Sequence, residues 1–75
     1  MKTLIQVMAE YPNLKFEFKH WNDGIEVIVS ENKVMGLIKS YSMRITYDLI
    51  KGTNPSIIDQ VIIEKTNELI KSIGP

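Results

Sequence analysis

Leu14-Lys15-Phe16-Glu17-Phe18-Lys19, then Trp21-Asn22-Asp23-Gly24, then Ile25-Glu26-Val27-Ile28-Val29-Ser30, is the stretch that decides how this chain folds. The first run alternates apolar and charged residues without a break. Successive side chains of a strand point to opposite faces, so Leu14, Phe16 and Phe18 share one face while Lys15, Glu17 and Lys19 share the other. Asn22-Asp23-Gly24 offers residues that tolerate positive φ, which tight hairpin turns need. The stretch predicts a β-hairpin over residues 14–30. It carries fold and no chemistry: the chain reads as a small soluble α+β domain whose activity the sequence does not spell out.

Upstream, Leu4, Ile5 and Met8 follow Met1 at the one-face spacing of a helix, and Tyr11 extends the series. Thr3 and Gln6 stand at capping-box spacing. Pro12 ends this helix, because it lacks a backbone N–H and restricts the residue before it. A strand over Thr3 to Met8 is the alternative. Downstream, Glu31-Asn32-Lys33 makes a polar break with Asn32 as the left-handed position.

From Val34 to Leu49 the odd positions Met35, Leu37, Tyr41, Met43, Ile45, Tyr47 and Leu49 are apolar or aromatic, with Lys39 the exception. That parity predicts a strand with its odd face buried. The segment exceeds the usual strand length, so a bend is expected near Gly36 or at Ser40-Tyr41-Ser42. The alternatives are two strands, or a helical end over Tyr47 to Lys51. Asn54 then caps a closing helix that has Pro55 at its first position; Ser56 with Asp59 is a second possible cap. This helix runs to about Ile73 and stops at Gly74-Pro75. Its expected core face is Ile58, Val61, Ile62, Leu69 and Ile73, and its wet side is Gln60, Glu64, Asn67 and Lys71. Ile57, Ile63 and Ile70 widen the apolar arc.

The element order is α-β-β-β-α. The expected architecture is a three-stranded antiparallel sheet with both helices on one face, forming one domain over residues 1–75. A chain of 75 residues buries roughly 60% of its unfolded surface, so its own core leaves it marginal. It has no cysteine to form a disulfide or a thiolate zinc site, and a single histidine, His20, so neither a metal nor a cofactor is expected. Nine basic and nine acidic residues cancel, which disfavours a general nucleic-acid binder. No apolar run approaches the ~20 residues that span a bilayer, and Met1 to Tyr11 has no signal-peptide pattern, so a cytoplasmic protein with no membrane partner is expected.

No catalytic constellation emerges. Glu17 and Glu26 could approach on paired strands, but acid–base work by two carboxylates needs a cleft. His20, Asp23 and a serine bracket a turn with nothing to orient a nucleophile. His20 shares parity with Phe16 and Phe18 and is expected at the core edge. The scattered glycines form no phosphate loop, and parity separates Arg44 from Tyr41 and Tyr47.

What is left is the sheet face away from the helices, expected to show Lys15, Glu17, Lys19 and Trp21, then Glu26, Ile28 and Ser30, with Val34 and Ile38 from the third strand. A contiguous apolar group there would mark an interface. The candidate protein-binding residues are Trp21, Ile28, Ile38, Lys19 and Glu26. Trp21 leads because a rigid amphipathic ring beside a turn suits an interface hot spot; the competing reading folds it over the hairpin end as a cover for the core.

The element order is similar to that of the double-stranded RNA-binding domain. The RNA-gripping features of that family are not matched: the first hairpin turn is Trp21-Asn22-Asp23-Gly24, and the last helix begins Asn54-Pro55-Ser56-Ile57-Ile58-Asp59 without lysine. The chain also resembles small accessory proteins of phages and prophages of low-GC Gram-positive bacteria. The hairpin of Phe16-Glu17-Phe18-Lys19 and Gly24-Ile25-Glu26-Val27, a third strand and a closing amphipathic helix carry that resemblance. So does the bias of twelve isoleucines and eight lysines to one arginine. It implies binding to, and modulation of, a host protein, with no catalytic residues. The leading expectation is therefore a non-enzymatic, homodimeric protein-binding module. The alternatives are a nucleic-acid-associated protein using Lys15, Lys19, Lys33, Lys39 and Arg44, or a structural subunit of a larger assembly.

Overall fold

In the computed structural model, residues 2–74 are described, and the chain runs α1 (Leu4–Ala9), β1 (Leu14–His20), β2 (Gly24–Glu31), β3 (Ser40–Thr46), α2 (Tyr47–Ile50) and α3 (Pro55–Ile73). The expected helix contact of Met1 and the stop at Pro75 lie outside the described residues. The sheet is an antiparallel meander, β1-β2-β3, with β2 in the centre. Its register sets Phe16 against Val29 and Phe18 against Val27, and on the other side Val27 against Met43 and Ile25 against Ile45.

That register decides the core. Val27 and Val29 are 0% exposed, and they cluster with Val7, Ile45, Leu69, Ile70 and Ile73. Helix and sheet thus close over one face only, the α+β arrangement the alternation predicts. Thr66, also fully buried, hides its hydroxyl by donating to the Ile62 carbonyl at 2.8 Å. A buried hydroxyl with a partner avoids the penalty of an unpaired one. Burial on α3 therefore follows Ile62, Thr66, Leu69, Ile70 and Ile73, so Ile70 belongs to the core; Ile58 and Val61, expected on the core face, are half-buried and line a cleft instead.

The caps behave as the residue types dictate. Thr3 and Gln6 form the reciprocal capping box of α1. The face of α1 is rotated from the expected one: Val7 is buried and Ile5 is exposed. Asn54 Oδ1 accepts from both the backbone N–H and the hydroxyl of Ser56, at 3.0 and 2.7 Å, and Pro55 opens α3. Asn54, not Ser56, is the cap.

Three expectations need correction. Val34 to Lys39 is not strand. These residues form an exposed loop, and β3 begins only at Ser40. Parity holds from Tyr41 to Ile45, after which Tyr47–Ile50 is helical, the second alternative. Neither Asn32 nor the hairpin turn uses a left-handed residue: among the described residues positive φ is confined to Gly36, Gly52 and Gly74. Gly36, at φ 89°, supplies the left-handed position that Asn32 does not. The neck of this loop is closed by Glu31, whose backbone N–H donates to the Lys39 carbonyl at 2.9 Å. Its carboxylate accepts the Lys39 N–H at 2.9 Å and lies 3.5 Å from Lys33 Nζ. The Lys39 N–H bond, against some desolvation and with help from the Lys33 charge, holds the Glu31 carboxyl below the ordinary range.

Gly24 is glycine for space. It is buried opposite Thr46, and a Cβ there would sit 2.3 Å from the Ile45 carbonyl oxygen. Gly24→Ala must push β2 off β3 at the turn end, and an urea titration should show a loss of about 2–3 kcal/mol. An unchanged midpoint would mean that the two strands are free to part there.

Candidate functional site on the open sheet face

Because Ile25, Val27, Val29 and Ile45 face the helices, their strand neighbours face away. The register assembles them in rows: Lys15, Ser30 and Ser40; Glu17, Ile28 and Ser42; Lys19, Glu26 and Arg44. Ile28 is half-buried at the centre of this face, and Lys15 pairs with Glu17 along the edge strand at 3.2 Å.

Trp21 stands beside the third row. Its indole Nε1–H donates to Glu26 Oε1 at 3.0 Å, and the Arg44 guanidinium carbon lies 5.0 Å from the ring centroid. Arg44 Nη1 in turn reaches Asp23 Oδ1 at 3.5 Å. The ring is therefore held on the open side by a carboxylate at its edge and a cation over its face. It does not fold over the hairpin end to cover the core. It remains 42% exposed. A guanidinium over an indole face at an exposed site is worth about 0.5–1 kcal/mol, enough to bias the rotamer.

Of the five candidates, Trp21, Glu26 and Lys19 come together at the turn end, and Ile28 sits one row away. Ile38 does not join them. It lies in the loop before β3, half-exposed, because the strand starts later than the parity suggested. Val34 is displaced for the same reason. Arg44 and Asp23 complete the cluster. Arg44 enters through the β2–β3 register, which sets it opposite Glu26, and Asp23 enters from the turn through its ion pair with Arg44.

The residues weighed for catalysis make other contacts. Glu26 is engaged by Trp21 and Glu17 by Lys15. His20 keeps the helix-side parity but is exposed, its ring 5.7 Å from that of Tyr47. Asp23 turns to Arg44 instead. Among the described residues, no three His, Cys, Asp or Glu side chains gather as a metal site, and no helix is long and apolar enough to cross a membrane. Two clefts flank the first half of α3. One, of about 600 Å³, opens between α1 and α3 beside Ile5, Ile62 and Ile63. The other, of about 270 Å³, lies beneath α2 and α3 between Ile45, Leu49, Ile50, Ile57 and Val61. No family model, curated protein or solved structure matches this chain.

Trp21 is the single tryptophan, so its emission reports this cluster alone. Arg44→Ala should free the ring, raising acrylamide quenching and shifting emission to the red while the melting temperature moves little. Unchanged quenching would mean that the guanidinium does not lie over the ring.

Proposed function

We propose that this chain is a non-enzymatic protein-binding module that acts by occupying a surface of another protein with the open face of its sheet. The observation that carries this is the Trp21 cluster: an aromatic ring pre-set by Glu26 and Arg44, half-exposed, one row of the sheet from Ile28. Tryptophan and arginine are the residue types that dominate interface energetics, and rigid anchors lose little entropy on docking. The flanking Lys19, Glu26, Arg44 and Asp23 give a mixed-charge rim, which selects a partner of complementary pattern. A modulator of a host protein, as in phage accessory proteins, is the form of this function that the sequence resemblance favours.

Charge pairing favours a protein over a nucleic acid. Lys15 is matched by Glu17, Lys33 by Glu31 and Arg44 by Asp23, leaving no uninterrupted basic stripe among the described residues. Counterion release from phosphates needs such a stripe.

Immobilised protein should retain a specific partner from an extract of a low-GC Gram-positive host. Trp21→Ala and Arg44→Ala, folded as judged by circular dichroism, should each weaken retention at least about tenfold, the loss of a hot-spot residue. Equal retention by both variants would remove this face from consideration, and retention of labelled DNA or RNA at low salt would replace the reading with a nucleic-acid one.

A further inference from the structure

Among the described residues, three features have no partner. The first is the loop between β2 and β3, where Val34, Met35 and Leu37 are almost wholly exposed, Leu37 at 92%. The second is the apolar cleft beneath α2 and α3, with Leu49 at its rim 71% exposed. The third is the outer edge of β3, which no strand of the described residues covers. We propose that a second copy of this chain satisfies all three at once: β3 pairs antiparallel with β3 of the partner copy, and the Val34–Ile38 loop of each copy packs against the α2–α3 cleft of the other.

The topology makes these features one site. The loop precedes β3 and the cleft follows it, so they lie at opposite ends of the same strand. A two-fold axis near Met43, the middle residue of β3, reverses the strand and brings each end beside its opposite. Leu37 and Leu49 are equally distant along the chain from Met43, one before and one after it. The contact is isologous, so it closes as a dimer and does not propagate into a filament.

Two quantities support the occupant. The chain exposes 5523 Å², whereas a compact monomer of this mass exposes about 4,700 Å², an excess of roughly 800 Å². That excess is about what one partner contributes to a standard interface. The Cα radius of gyration is 13.0 Å, against about 11 Å for a compact chain of this length. The choice of edge follows from charge. β1 bears Lys15, Glu17 and Lys19, the pattern that blunts an edge against pairing, whereas β3 bears only Arg44, which is turned to Trp21 and Asp23. The proposal uses other residues than the open-face reading and leaves Trp21 free on a continuous six-stranded sheet.

The absence of cysteine makes the test clean. Sedimentation of the whole chain at micromolar to submillimolar concentration should show a dimer. Leu37→Lys and Leu49→Glu should each weaken it at least about tenfold, and the two together should recover part of the loss, as a double-mutant cycle requires for groups in contact. The pair Leu37→Cys with Leu49→Cys should form a reducible covalent dimer under mild oxidation, while Leu37→Cys alone should not, because the two loops sit at opposite ends. A monomer at every concentration overturns the proposal. So does a dimer indifferent to both charged variants, efficient crosslinking by Leu37→Cys alone, or a monomer that instead sediments with phosphatidylserine vesicles.

Discussion

Val27 and Val29 on the central strand are the constraint that everything else answers to. They have strands on both sides and a helix across their face, and no solvent reaches them. Burying such side chains is worth about 1.5–3 kcal/mol each, a large share of the net stability of a domain this small. Their parity then forces Glu26, Ile28 and Ser30 to the opposite face, since a strand cannot send neighbours the same way. The open face is thus a by-product of how the core is built. One helix layer suffices to cover β2, and among the described residues no second layer lies on the reverse.

The same economy explains where function can reside. Both clefts described lie along the first half of α3: the smaller is apolar, and the larger adds Lys2, Ser56, Asp59 and Gln60 to its isoleucines. On the open face, the polar groups of the Trp21 cluster are held in fixed geometry. They are fixed through cross-strand register, with Lys19, Glu26 and Arg44 in one row and Trp21 bonded to the middle member. A flat face with a pre-set aromatic anchor suits recognition of another surface.

The hairpin, the Thr3 and Asn54 caps and the one-sided sheet were legible because each rests on local rules: period-two alternation, capping chemistry and proline position. The misreadings come from non-local causes. Val34 to Leu37 carry strand-like residues, yet they lie past the point where Glu31 and Lys39 close the neck, so they have no neighbour to pair with. Ile5 and Val7 are both apolar on a short helix, and only the position of α3 decides which is buried. Thr66 enters the core because a local bond to Ile62 satisfies it, which hydropathy cannot register. At the candidate site, Trp21, Lys19, Glu26 and Ile28 were legible by parity. Arg44 needed the β2–β3 register, and Ile38 was misplaced with the start of β3.

One-sided packing is open to a direct measurement. A soluble paramagnetic agent attenuates NMR signals of groups it can approach, so the Ile28 methyls and the Trp21 indole N–H should be attenuated several-fold more than the methyls of Val27, Val29 and Leu69. Equal protection of Ile28 and Val27 would mean that both faces of the sheet are covered, and would contradict the account.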